Sequence, residues 1–138
     1  STKVKFATYQ QMDYQLAEDY SMLEFLQRDS EFPEPVIRSV LSNLGFKQGE
    51  IINKSLNNLS GGEATRLVIA KLFTDPSNVL ILDEPTNFID IQTIEALEEL
   101  MRNYQGTIIF TSHDQYFMER VAEQIWRVED QQLKMVRY

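Results

Sequence analysis

Hydrophobic positions along the chain fall into two regimes. From about Tyr20 to Gly62 they recur at helical spacing: Met22, Phe25 and Leu26 share one face, and Val36, Ile37, Val40, Leu41 and Leu44 share another. Phe32-Pro33-Glu34-Pro35 opens the second of these helices and Gly45 closes it. Residues 20–62 are therefore expected to form a small helical subdomain. The second half alternates between element types: a helix from about Gly61 to Thr74, an apolar strand Val79-Leu80-Ile81-Leu82, a helix from Ile91 to Tyr104, a strand Thr107–Thr111 and a helix after Asp114. Gln124–Glu129 and Gln132–Val136 read as a hairpin turning at Asp130-Gln131, and Val4–Tyr9 is a β-friendly opening segment. Short apolar strands separated by helices predict an α/β fold with a parallel sheet buried on both faces. Ligands in such sheets lie at the carboxyl ends of the strands, here Asp83-Glu84 and Ser112-His113.

Composition narrows the classes. At 138 residues, 43% hydrophobic and 25% charged, the chain has the make-up of one globular domain. Thirteen basic against 21 acidic residues, a net charge of −8, disfavour unaided attraction to a nucleic-acid backbone or an anionic membrane. A phosphate site built from backbone N–H groups and a metal ion stays open. The lack of cysteine removes disulfide, thiol and cysteine–metal chemistry and fits a cytoplasmic location. No apolar run approaches the roughly 20 residues of a membrane helix, and no signal-peptide core follows the first residues, so no membrane partner is expected.

Four groups of residues could carry chemistry. Leu59-Ser60-Gly61-Gly62-Glu63 reads as a capping box, in which Ser60 accepts from the Glu63 N–H and the carboxylate reaches back. Two glycines in the first turn each cost about 1 kcal/mol relative to Ala, and their alternative use is close backbone approach to an anion at the helix N-terminus. Asp83 and Glu84 follow a buried strand and precede Pro85. They are either turn residues or a working pair, with Asp83 holding Mg²⁺ through water and Glu84 polarising the water that attacks a terminal phosphate. His113, the single histidine, is either structural or, beside Glu84 on the sheet's rim, a donor to a γ-phosphate. Gln10 and Gln11 are either surface amides or partners of a metal-bound water.

In this order, Gln10-Gln11, Leu59–Glu63, Ile81-Leu82-Asp83-Glu84-Pro85 and Ser112-His113-Asp114 resemble the Q-loop, signature motif, Walker B and H-loop of an ATP-binding-cassette (ABC) domain. Within that family, Asp83-Glu84-Pro85-Thr86-Asn87-Phe88-Ile89-Asp90 resembles the ABC-F proteins, cytosolic ATPases with two cassettes and no transmembrane domain. Asn87 carries most of that resemblance. Phe88-Ile89 departs from the more usual His-Leu and resembles some antibiotic-resistance members. The resemblance implies a P-loop NTPase-type core with an inserted helical subdomain, divided as 1–19 (Q-loop strand and loop), 20–75 (helical subdomain ending in the signature helix) and 76–138 (Walker B and H-loop core). It implies ATP and Mg²⁺ as nucleotide and cofactor, a second nucleotide-binding cassette as partner, and hydrolysis coupled to the ribosome in translation regulation or antibiotic resistance. Asp83 would then be the Mg²⁺-associated carboxylate, Glu84 the general base and His113 the γ-phosphate sensor. Gln11, with Gln10 as the alternative, would be the Q-loop residue. Ser60, Gly61 and Gly62, with Glu63, would meet a nucleotide held by the opposite cassette, and Asp90 would cross that interface.

One family element is missing from the sequence. None of the five glycines, at 45, 49, 61, 62 and 106, begins or completes a Gly-x-x-x-x-Gly-Lys-Ser/Thr phosphate cradle. The chain is accordingly expected to be the C-terminal portion of a cassette, without appreciable ATPase activity alone. Its sheet edges would be open to a homo-oligomer or strand-exchanged dimer. The competing readings are a fragment of a transporter's ATPase subunit and a non-catalytic binding domain that keeps cassette motifs.

Overall fold

The computed structural model describes residues 6–9, 20–87 and 89–137. The expected sites Gln10 and Gln11 lie outside them, as does Phe88. Three parallel strands form one sheet in the order β1 (Phe6–Tyr9), β2 (Val79–Asp83), β3 (Thr107–Thr111). Register places Leu80 beside Ile108, Leu82 beside Phe110 and Asp83 beside Thr111.

Between β1 and β2 stands a helical layer: α1 (Met22–Gln27), α2 (Glu34–Asn43), α3 (Gln48–Asn53), a 3₁₀ turn (Leu56–Asn58) and α4 (Gly61–Thr74). Local chemistry sets several of their boundaries. Ser21 and Glu24 form a capping box at α1. Pro35 lies in the first turn of α2, where its missing N–H costs nothing. At the other end Gly45 takes φ +95°, the Gly45 N–H donates to Ser42 O and the Phe46 N–H to Leu41 O, which is a Schellman cap. Buried Met22, Leu26, Ile37, Leu41, Ile51, Leu56 and Leu67 make this layer one core.

α4 joins the layer to the sheet. Every residue from Leu67 to Thr74 is buried, so the second half of this helix has no solvent face. Lys71 is buried with them. Its ammonium reaches Asp29 (2.9 Å) and Asp75 (3.1 Å) and lies 4.8 Å from the centre of the Phe25 ring, which compensates its desolvation. Lys71 holds the Asp29 carboxyl below its ordinary range, whereas burial outweighs the same cation at Asp75 and raises that group.

The N-terminus of α4 is a second capping box. The Glu63 N–H donates to Ser60 Oγ (3.2 Å) and the Ser60 N–H to Glu63 Oε1 (3.0 Å). Lys54, at the end of α3, donates to both Glu63 oxygens at 3.1 and 2.9 Å. The Ser60 N–H first and Lys54 second hold the Glu63 carboxyl down at about 2.

After β2 come α5 (Ile91–Asn103), β3, α6 (Gln115–Val121) and a hairpin of β4 (Ile125–Glu129) and β5 (Gln132–Arg137). Asp130 and Gln131, at φ +49° and +62°, make the tight turn of that hairpin, with no glycine to ease it. Glu98 of α5 is buried between Arg102 and Arg120 of α6, so an ion cluster locks these helices together.

The sheet corrects one expectation. Leu80 and Leu82 are buried, but Ile81 and Ile109 on the opposite face are 37% and 57% exposed. The two strands are apolar on both sides, yet among the described residues the core-forming helices pack only over the Leu80–Leu82 face. Among the described residues nothing covers the other face.

Two outcomes follow. A Cβ at Gly106 would collide with the Asn78 carbonyl oxygen and lie 2.8 Å from both Asn78 C and Tyr104 Cε1, while one at Gly49 meets nothing within 4 Å. Gly106→Ala is expected to cost roughly 2 kcal/mol and Gly49→Ala to be neutral or to gain up to about 1 kcal/mol, read from urea denaturation. Glu63 is depressed from 4.5 to about 2, so its stabilisation is complete above about pH 5 and fades as pH falls toward 2. Glu63→Gln should therefore be less stable than wild type at pH 6, with the gap shrinking by on the order of 1 kcal/mol at pH 3 once solvent screening is allowed for; denaturation midpoints at the two pH values check it.

Candidate functional site

The carboxyl ends of β2 and β3 converge because the strands are parallel and in register. Asp83 ends β2, and Glu84 leaves it at φ +48°, a left-handed conformation that costs a non-glycine residue on the order of 1–2 kcal/mol. The Asn87 N–H donates to the Glu84 carbonyl (3.2 Å), closing a turn over Pro85 and Thr86. Thr111, opposite Asp83, secures the strained residue. The Glu84 N–H is shared between Thr111 O and Thr111 Oγ1, each at 3.1 Å, and the Thr111 hydroxyl donates to Asp83 Oδ1 at 2.6 Å. One threonine therefore fixes both consecutive carboxylate residues.

Glu84 in turn meets His113. The His113 N–H donates to Glu84 Oε2 (3.3 Å), and Nδ1 of the ring lies against Glu84 Oε1. The imidazole is 96% exposed and the Glu84 side chain 22%, so a semi-buried carboxylate holds one edge of a ring whose other edge faces solvent. The loop carrying His113 is held from below: the Asp114 N–H donates to Ser112 Oγ (2.9 Å), and Asp114 Oδ1 accepts from the Phe117 N–H (3.0 Å) as the N-cap of α6. Glu84 and His113 are thus joined directly, and Asp83 is tied to the same rim through Thr111.

The Ser60 turn is built separately, at the free end of α4. The capping box forms, and neither glycine is demanded by packing. An added Cβ at Gly61 or Gly62 meets nothing within 4 Å, and neither residue takes a positive φ. The glycines leave the N-terminus of the helix open on its outer side, where two N–H groups have no intrahelical acceptor. Asp90 is the N-cap of α5, with Oδ1 accepting from the Thr93 N–H at 3.2 Å; hydrogen bonding from Thr93 holds its carboxyl below the ordinary range.

Two residues with evident structural purchase on these groups escaped the sequence reading as participants. Thr111 needs the strand register to place it beside Asp83, and Lys54, nine residues from Glu63, follows no periodicity that would pair them.

The donor set suits Mg²⁺ better than a preformed metal cage. Asp83 offers an exposed carboxylate with one oxygen already engaged, and among the described residues no cluster of three or more carboxylate, histidine or cysteine side chains is assembled. A magnesium ion that keeps several waters and shares phosphate oxygens needs only one or two protein carboxylates.

Comparison with known proteins places the chain in a family. The ABC transporter family model matches residues 1–87. Over 133 residues, 96% of the chain, it is 45% identical to the erythromycin resistance ATP-binding protein MsrA of Staphylococcus epidermidis. It is 54% identical over 71 residues, 51% of the chain, to the ATP-binding protein Uup of Escherichia coli, and 43% identical over 94 residues, 68% of the chain, to ABC transporter F family member 5 of Arabidopsis thaliana. The chain spans only 27%, 11% and 13% of these three relatives. Two solved structures share the fold: an RNase-L inhibitor (TM-score 0.68, 19% identity, 99% of this chain and 28% of that one) and a complex of an archaeal ribosomal stalk protein with the ribosome recycling factor aABCE1 (TM-score 0.65, 20% identity, 98% and 28%). The chain belongs to the ATP-binding-cassette family, and its matched relatives are of the ABC-F type.

Proposed function

We propose that these residues form the distal part of an ATP-hydrolysing cassette of an ABC-F-like protein, acting in the cytoplasm together with a second cassette. Residues 1–19 would carry the Q-loop, 20–75 the helical subdomain with its signature helix, and 76–138 the Walker B and H-loop core. The observation that best supports this reading is the strained Glu84, pinned by Thr111 and turned toward His113 at the rim of a parallel sheet. A left-handed glutamate costs stability relative to glycine, and here the strained residue directs its carboxylate at His113.

In this reading Glu84 accepts the proton of the attacking water as general base. His113, with Nδ1 against Glu84, has Nε2 as its remaining polar atom, on the exposed edge of the ring where a terminal phosphate would meet it. Asp83, with Gln11, would hold Mg²⁺ through water; the ion would neutralise charge on the phosphate oxygens. Ser60, Gly61 and Gly62, backed by Glu63, would present helix N–H groups to the γ-phosphate of a nucleotide seated on the opposite cassette, and Asp90 would lie at that interface. The sequence contains no P-loop motif, so the phosphate cradle and most nucleotide affinity would come from another segment, and the 138 residues alone would not hydrolyse ATP. The erythromycin-resistance relative supports a role in antibiotic resistance, and the ABC-F resemblance adds coupling of hydrolysis to the ribosome, there or in translation regulation.

In the full-length protein that carries this chain, Glu84→Gln is expected to lower kcat at least about 100-fold while ATP binding persists, and unchanged turnover would remove Glu84 from the chemistry. Among the described residues the Ile81–Ile109 face is bare and the outer edge of β3 unpaired, which supports self-association of the isolated chain through its sheet. Light scattering is expected to give a mass above one chain at high concentration, and a monomer throughout would exclude it.

A further inference from the structure

The Glu63 carboxylate does more than close a capping box. Its Oε1 accepts from both the Ser60 N–H and Lys54 Nζ, and its Oε2 accepts from Lys54 at 2.9 Å. The ammonium also lies 3.5 Å from Glu50, one turn back on α3. Lys54 and Glu63 are largely shielded, with side chains 28% and 16% exposed, so the pair is less screened than an ordinary surface salt bridge. The base from which Lys54 projects is fixed as well. Its own N–H closes α3 on Glu50 O, the next residue, Ser55, forms a β-bridge with Ser21, and the Leu56 N–H donates to the Tyr20 carbonyl. A capping carboxylate held only by the backbone can swing about its χ angles; one gripped through both oxygens cannot.

We propose that Lys54 is a positioning residue for the Ser60–Gly62 turn: by gripping Glu63 from α3 it sets the orientation of the cap, and so of the free Gly61 and Gly62 N–H groups. This rests on the reading that the turn meets a terminal phosphate. Lys54 touches neither nucleotide nor metal in this scheme and acts through Glu63. The pair also gives a reason for glutamate at this position: glutamine could cap Ser60 equally well but would leave Lys54 without its charged partner.

The test is steady-state ATP hydrolysis by the full-length protein carrying this chain, with Lys54→Met, Lys54→Arg and Ser60→Arg compared with wild type well below the melting temperature. Lys54→Met is expected to lower kcat about tenfold with KM for ATP unchanged, and Lys54→Arg, whose guanidinium also grips a carboxylate through two oxygens, to recover most of it. A lower melting temperature with unchanged kcat would reduce Lys54 to a structural staple and overturn the proposal. Loss of activity in Ser60→Arg with wild-type activity in Lys54→Met would overturn it too, while leaving the proposed function intact. Full activity in Ser60→Arg would instead overturn the reading of the turn, and the role of Lys54 with it.

Discussion

Parallel pairing of β2 with β3 in a single register is the constraint on which the candidate site depends. It sets Asp83 against Thr111, and from that one alignment come the hydroxyl bond to Asp83, the doubly accepted Glu84 N–H and the approach of His113 two residues further on. A slip of one residue would turn Leu80 and Leu82 out of the core as it moved the carboxylates, so the apolar side chains that hold the sheet also guard its chemistry.

α4 is the second organiser, and its two halves have different duties. The buried stretch from Leu67 to Thr74 ties the helical layer to the sheet, with Lys71 compensated by two aspartates and an aromatic face. The first turn is open, glycine-lined and braced from α3. A rigid rod with one end sunk in the core and the other presented to solvent carries the position of one region to the other without a flexible intermediary.

How far the sequence could be read depended on how local each signal was. Helix α4, the glycine stop after α2 and the Asp130-Gln131 hairpin are set within four or five residues, and their chemistry is visible in the string. Helix α3 was not, because it is six residues long with one buried side chain, too short for a period to show. The two-sided burial expected of the sheet failed at Ile81 and Ile109: an unbroken apolar strand is compatible with two covers but does not state that both are present. At the site, the order of Asp83, Glu84 and His113 was legible. The role of Thr111, 28 residues from Asp83, and the grip of Lys54 on Glu63 depend on distances between elements, which no linear pattern encodes.

Glu84 bears on how this sequence can be altered. Its φ of +48° makes it a position where glycine would relieve backbone strain, so selection for thermal stability alone would favour removing the carboxylate. A consensus or library screen scored on folding would count that change as an improvement. Asp130 and Gln131 carry the same kind of strain, so what sets Glu84 apart under such a screen is the bond its carboxylate accepts from the His113 N–H, which glycine would remove.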